Sequence, residues 1–252
     1  MEIKMIIHTY EMGGRAEACA CYLKEHIQTK SARTVHILPI PTTRDNIHLS
    51  GSDILLSDIV KQAEQGTLVI GYGMPDEFLR ELEEVGALVF DAGDDELFLL
   101  KNAELTALAA IGILLTTEKR ALSDISFGIV GYGRIGRKLA RMLLFHGADV
   151  RIYTSRPSTQ LELGGLGISA SMSACDASLS GIDILINTAP AVIFKDGVPE
   201  GVRVIDLASG ENFPGVTVER YPSVPLKMFP KSAGLALGSA AIRHFREQGL
   251  TL

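Results

Sequence analysis

One stretch narrows the folds open to this chain more than any other: Phe127-Gly-Ile-Val-Gly-Tyr-Gly-Arg-Ile-Gly-Arg-Lys-Leu-Ala140. A short apolar run breaks at Gly131-x-Gly133-x-x-Gly136 and resumes with Ile135, Leu139, Met142 and Leu143, the spacing of one helix face. His146-Gly147 then supplies a glycine suited to a left-handed helix cap, and residues 150–154 read as a second strand. The pattern is a βαβ unit. In such a unit a tight turn requires Gly131, approach of a pyrophosphate to the backbone requires Gly133, and close helix–strand packing requires Gly136. The helix start at Arg134-Ile135 would present free N–H groups to the phosphates. A bound dinucleotide is expected; the alternative is a structural glycine turn in an α/β domain that holds no phosphate.

The end of the second strand bears on which dinucleotide. NAD sites place Asp or Glu there for the ribose 2′-hydroxyl, whereas this chain has Tyr153-Thr154-Ser155-Arg156-Pro157. Thr154, Ser155 and Arg156 suit a 2′-phosphate, which gains charge-assisted hydrogen bonds from a guanidinium. NADP is the expected cofactor, with NAD as the alternative and a solvated turn as the other reading of Arg156.

At 252 residues and 46% apolar, the chain can bury one large core or two modest ones. A net charge of −6 without a basic run argues against nucleic acid. Charges interrupt the first eight residues, unlike a signal peptide, and the apolar segment 105–115 is too short for a bilayer. No membrane and a cytoplasmic location are expected. Cys19, Cys21 and Cys175 and the six histidines lack zinc spacing, so no metal is expected.

Upstream, residues 3–9, 34–38, 67–71 and 87–91 read as strands and 15–27 and 76–85 as helices, as in a small parallel-sheet domain. The fold expected is therefore α/β with two domains: a flavodoxin-like parallel-sheet domain over residues 1–101, and a Rossmann-type domain over 123–231. An apolar interdomain helix over 102–122 would join them, and a closing helix over 232–252 would return to the first domain. Residues 154–173 are polar and glycine-rich enough to be partly mobile.

Ligands of open parallel sheets bind beyond the carboxyl ends of the strands. There Asn187, Thr188, Ala189 and Pro190 would line the nicotinamide side, Asn187 and Thr188 having groups able to orient a carboxamide. Ser209, after the strand ending near Leu207, and Lys231 with Ser232, at the start of the last helix, are candidates for substrate. Lys231 and the helix N-terminus could together hold a carboxylate. Gly13, Gly14 and Arg15 form a second corner able to do so; ordinary turns and solvated cations are the competing readings. Downstream of the glycine turn only His146 and His244 exist, neither near a strand end, which disfavours a histidine general base and hence a plain hydroxyacid dehydrogenase.

Taken together, Gly131-Tyr-Gly-Arg-Ile-Gly136, Ser155-Arg156, Ile186-Asn-Thr-Ala-Pro190, Ile205-Asp-Leu-Ala-Ser209 and Pro230-Lys-Ser-Ala-Gly234 resemble the A component of dipicolinate synthase, with a more distant likeness to D-2-hydroxyacid dehydrogenases. The resemblance runs from about residue 67 to 245. It implies an NADP-dependent oxidation of a cyclic dicarboxylate to pyridine-2,6-dicarboxylate, the spore calcium chelator, with Lys231 and Ser209 at the reacting end. It also implies the flavoprotein component of that synthase as partner; a homo-oligomer is expected. Three places depart from the family: Gly210-Glu-Asn-Phe213 stands for Arg-Pro-Gly-Gly, Val224-Pro-Leu-Lys227 for a glycine-rich loop, and Leu108-Ala109 for a Glu-Gly pair. A relative with another substrate, a dinucleotide sensor or regulatory subunit without catalysis, and a relative of the D-2-hydroxyacid dehydrogenases therefore stay open.

Overall fold

The computed structural model describes residues 5–11, 13–27, 33–166, 168–171, 179–191, 194, 197–208, 212–213 and 215–249. In chain order the elements are β1 (Met5–Thr9), α1 (Gly14–His26), β2 (Arg33–Ile37), α2 (Leu56–Gln62), β3 (Leu68–Gly71), α3 (Asp76–Glu84), β4 (Leu88–Asp91) and α4 (Glu96–Thr117). There follow β5 (Ser126–Val130), α5 (Arg134–Phe145), β6 (Asp149–Tyr153), α6 (Pro157–Gly165), β7 (Ser169–Ser171), β8 (Ile184–Asn187), β9 (Arg203–Asp206), β10 (Glu219–Arg220), α7 (Val224–Met228) and α8 (Pro230–Glu247). The chain divides into two compact units, residues 1–102 with 229–252, and residues 103–228. Each unit is built on a wholly parallel sheet, as the α/β reading requires.

In the first unit the strands lie in the order β1-β2-β3-β4. Val35, Ile37, Leu68, Ile70 and Phe90 pack with Cys19 and Leu23 of α1 and with Leu237, Ala241 and Phe245 of α8. On the opposite face Val69 packs with Ile59 of α2 and with Phe78 and Leu82 of α3. The flavodoxin order is 2-1-3-4-5. Removing its second strand and renumbering gives the order seen here, so the unit is flavodoxin-like less one strand. The crossovers β1→β2 and β2→β3 step in the same direction with their helices on opposite faces and so have opposite hands, against the usual right-handed rule. Among the described residues no strand lies beside β1 on the side away from β2, where the flavodoxin order has one.

Two helices meet closely in this unit. A Cβ on Gly234 would fall on the Arg15 carbonyl oxygen and 2.6 Å from the Ala18 Cβ, and one on Gly238 would lie 3.0 Å from Tyr22. Gly14 faces Pro230 at 3.3 Å, so α1 and α8 run parallel with their N-termini together.

In the second unit the strand order is β10-β9-β8-β5-β6-β7. Counting from β5 as strand one, this is the Rossmann order 3-2-1-4-5-6, with its reversal between β5 and β8. Phe127, Ile129, Leu185, Ile186, Val204 and Ile205 are buried, as strands covered on both faces require.

Several boundaries differ from the sequence reading. Helix α4 starts at Glu96 rather than 102 because the Asp95 carboxylate accepts the Phe98 N–H at 2.7 Å and caps it. By length and composition α4 matches a membrane span, which the segment 105–115 did not, yet more than half of its apolar window is buried in the protein. Helix α2 was not anticipated, and α6 forms within the stretch read as partly mobile, its Pro157 at the first helical position and Thr159 and Leu163 buried. Helix α8 starts at Pro230, which places Lys231 and Ser232 in its first turn and, with it, in the first unit.

Candidate dinucleotide site

The glycine turn joins β5 to α5 beside the strand reversal. Gly131 has φ +88°, a conformation side chains rarely adopt, and a Cβ on it would lie 3.0 Å from the Thr188 hydroxyl and 3.1 Å from the Ala189 Cβ. A Cβ on Gly136 would fall on the Gly131 carbonyl oxygen. Packing therefore fixes both. Gly133 is different: it has an ordinary negative φ, and a Cβ there would meet no atom of the described residues within 4 Å. Nothing among the described residues demands that glycine, whereas a pyrophosphate lying on the backbone would.

Helix α5 has no side-chain cap and no acid in its first turn, where Arg134 and Ile135 stand. Its first N–H groups thus keep their capacity for an anion. Beside the turn, Tyr132 carries the Arg137 guanidinium over its ring at 5.2 Å, and Arg137 reaches Glu162 of α6 at 3.5 Å. Burial first, and the Glu162 charge next, raise the Tyr132 phenol above its ordinary range, so it stays protonated.

At the end of β6, Thr154 is buried and its hydroxyl accepts the Arg156 N–H at 3.2 Å; Ser155 and Arg156 are exposed. Arg156 precedes Pro157 as the cap residue of α6, another helix with no acid in its first turn. The strand tip therefore combines an exposed hydroxyl, an exposed guanidinium and a helix N-terminus, with no carboxylate.

At the ends of β8 and β9 the assigned roles shift. The Asn187 side chain, 1% exposed, cannot also orient a carboxamide: its amide donates to the Ala189 carbonyl at 3.0 Å and to Asp206 at 2.8 Å, and its oxygen accepts the Ala189 N–H at 3.1 Å. The Thr188 hydroxyl is likewise engaged, donating to the Val130 carbonyl at 2.8 Å. Pro190 is exposed. Asn187 and Thr188 build the wall of the site rather than offering it free groups. Asp206, which holds Asn187 from behind and is itself held by Asn212, had no role in the sequence reading because this juxtaposition is set by strand order and loop return, not by spacing.

In the first unit Gly13, Gly14, Arg15, Lys231 and Ser232 do come together, at the adjoining N-termini of α1 and α8. Lys231 and Ser232 are exposed, but Arg15 is 4% exposed and its guanidinium is taken by Glu11 in a two-point ion pair, Nε donating at 2.8 Å and Nη2 closer still. Arg15 is thus not offered to a substrate carboxylate. Glu11 stands ahead of α1, outside the helical register, so helix spacing did not announce that pairing. Ser209, and the departure at Gly210-Glu211, lie outside the described residues. His146 caps α5 at the end away from the glycine turn, and His244 packs on Phe90 with its Nε2 3.1 Å from the Val89 carbonyl, so neither is placed as a base. Among the described residues no cluster of three or more His, Cys, Asp or Glu could hold a metal.

Residues 114–193 match the NAD binding domain of the D-isomer specific 2-hydroxyacid dehydrogenases. Over the whole chain the fold is similar to the A component of dipicolinate synthase from Bacillus halodurans, with TM-score 0.74 and 17% identity over 95% of this chain and 96% of that one. It is similar also to the corresponding dipicolinate synthase component from Bacillus subtilis, with TM-score 0.76 and 17% identity over 98% and 97%. D-lactate dehydrogenase from Escherichia coli follows, with TM-score 0.62 and 13% identity over 98% of each chain. No curated protein sequence matches. The chain has a dinucleotide-binding, dehydrogenase-like fold, shared with the A component of dipicolinate synthase and the D-2-hydroxyacid dehydrogenases.

Proposed function

We propose that this protein is an NADP-preferring oxidoreductase acting on a small cyclic dicarboxylate, with pyridine-2,6-dicarboxylate or a related acid as product. The observation that carries the cofactor choice is the tip of β6, where Ser155, Arg156 and the start of α6 stand in place of a carboxylate. Gly131, Gly133, Arg134, Ile135 and Gly136 would hold the pyrophosphate, and the turn at Asn187, Thr188, Ala189 and Pro190 would border the nicotinamide. When bound, the dinucleotide supplies a hydride acceptor. Lys231 and Ser232, in a first turn without an acid, are the groups left to take a substrate carboxylate. The second unit contains a single histidine, His146, so proton loss is not assigned to imidazole; a product ring that becomes aromatic needs less help from a base. A cytoplasmic location, a flavoprotein partner and self-association belong to the same proposal.

Calorimetric titration tests it, with NADPH expected to bind more tightly than NADH; equal affinities would remove the preference. With NADPH present, millimolar pyridine-2,6-dicarboxylate should raise the melting temperature by an amount that grows with its concentration, and Lys231→Met should reduce that shift. A shift unchanged by Lys231→Met would relocate the carboxylate site. No shift at all would favour a second reading, a dinucleotide sensor without catalysis, for which the engagement of Arg15 by Glu11 is the supporting observation.

A further inference from the structure

Asp206 ends β9 as a carboxylate only 2% exposed. One oxygen accepts Asn187 Nδ2 at 2.8 Å and the Ala208 N–H at 3.1 Å; the other accepts Asn212 Nδ2 at 3.2 Å. Burying a carboxylate among neutral donors is costly, and an apolar side chain would fill the same space without that cost. What the carboxylate adds is direction. It fixes the Asn187 amide, which closes on both the N–H and the carbonyl of Ala189 and so sets the 187–189 turn. Thr188, in the middle of that turn, donates its N–H to the Val130 carbonyl at 2.9 Å and its hydroxyl to the same oxygen, and it stands against Gly131. A continuous relay runs from β9, across β8, to the glycine turn after β5.

We propose that Asp206 is a positioning residue for the dinucleotide site, acting through Asn187 and Thr188 on the Gly131 loop. The proposal rests on the dinucleotide reading above. The first unit provides its control. Asp91 ends β4 in the same manner, accepting the N–H groups of Gly73 at 2.8 Å, Met74 at 2.6 Å and Gly93 at 2.7 Å, all of them partners within the first unit.

The test is NADPH fluorescence titration of the full chain at a temperature where every variant is folded. Asp206→Ala should weaken NADPH by roughly tenfold, the loss of one good hydrogen bond to a charged group. Asp206→Asn, which keeps an acceptor for Asn187, should recover most of that. Asp91→Ala should lower the melting temperature and leave the affinity at the parent value. Thr188→Val should also weaken NADPH, and combining it with Asp206→Ala should add little, since both act on one turn. A folded Asp206→Ala with parent affinity overturns the proposal, as does a double variant whose losses multiply. Should Asp206→Ala not fold, Asn187→Ser breaks the same link: the same loss supports the proposal, and parent affinity overturns it. A parent chain that binds neither NADPH nor NADH overturns the dinucleotide reading and this proposal with it.

Discussion

The two units treat the positive ends of their helices in opposite ways. In the first, Glu17, Asp58, and Asp76 with Glu77 stand in the opening turns of α1, α2 and α3, Asp91 takes three backbone N–H groups, and Glu11 fills the fork of Arg15. In the second, α5 and α6 open without an acid. Negative charge near a helix N-terminus is stabilising, so leaving it out forgoes stability. A chain that supplies its own anions in one unit and withholds them in the other marks where an outside anion belongs. By that criterion α5 is the end suited to the dinucleotide's phosphates and α6, on the NADP reading proposed above, to a 2′-phosphate; α8, which also opens without an acid, is the one exception in the first unit.

The comparison is most easily broken at its glycines. Gly136 in the second unit and Gly234 in the first are both fixed by packing, so an alanine at either should destabilise the chain by about 3 kcal/mol, the upper range for overpacking. Urea unfolding measures this, and a loss near zero at Gly136 would mean the turn is looser than described. Gly133→Asp should do the reverse. Its side chain enters open space, so melting should hardly change while NADPH binding disappears through steric and charge conflict. Retained binding would move the phosphate away from this loop.

A smaller effect sharpens the choice of cofactor. Arg156→Ala should cost NADPH about 1–3 kcal/mol, as for a hydrogen bond to a charged group, and leave NADH nearly unchanged. Equal losses for both dinucleotides would assign Arg156 to the pyrophosphate or to folding. The smallest effect is confined to the first unit. His36 is fully buried, shares a 2.7 Å hydrogen bond with the Tyr10 hydroxyl, and stacks on His8. Burial first, and the neighbouring His8 next, lower its pKa to about 4. The folded state therefore binds this proton less readily than the unfolded chain, so the stability it contributes is full above the ordinary histidine range and is lost as pH falls toward 4. His36→Phe should flatten that part of the melting-temperature profile relative to the parent, with no change in NADPH affinity. Identical profiles would mean that His36 does not titrate as its burial implies.

What the sequence made legible follows from how local each signal is. The glycine turn, the helix after it and the apolar strands of the second unit are written in adjacent residues, and each lies where its pattern put it. The strand order of the first unit was not legible, because the missing neighbour of β1 is a matter of pairing between distant segments. Helix α2 was overlooked, since its seven residues have too little period to stand out. Among site residues, Gly131, Gly133, Gly136 and Arg156 could be placed from spacing, but the true employment of Asn187 and Arg15 could not. Both depend on a partner, Asp206 or Glu11, that competes for the same groups.

The closing of the first unit by α8 bears on the order in which the protein can be made. Leu237, Ala240, Ala241 and Phe245 complete the same core as Val35, Leu68 and Phe90, yet they leave the ribosome after the whole of the second unit. Domains usually fold in the order of synthesis. Here the contiguous 103–228 segment can finish first, while the earlier strands wait with the apolar face meant for α8 uncovered. The strands made before the second unit are thus the last to reach their native surroundings.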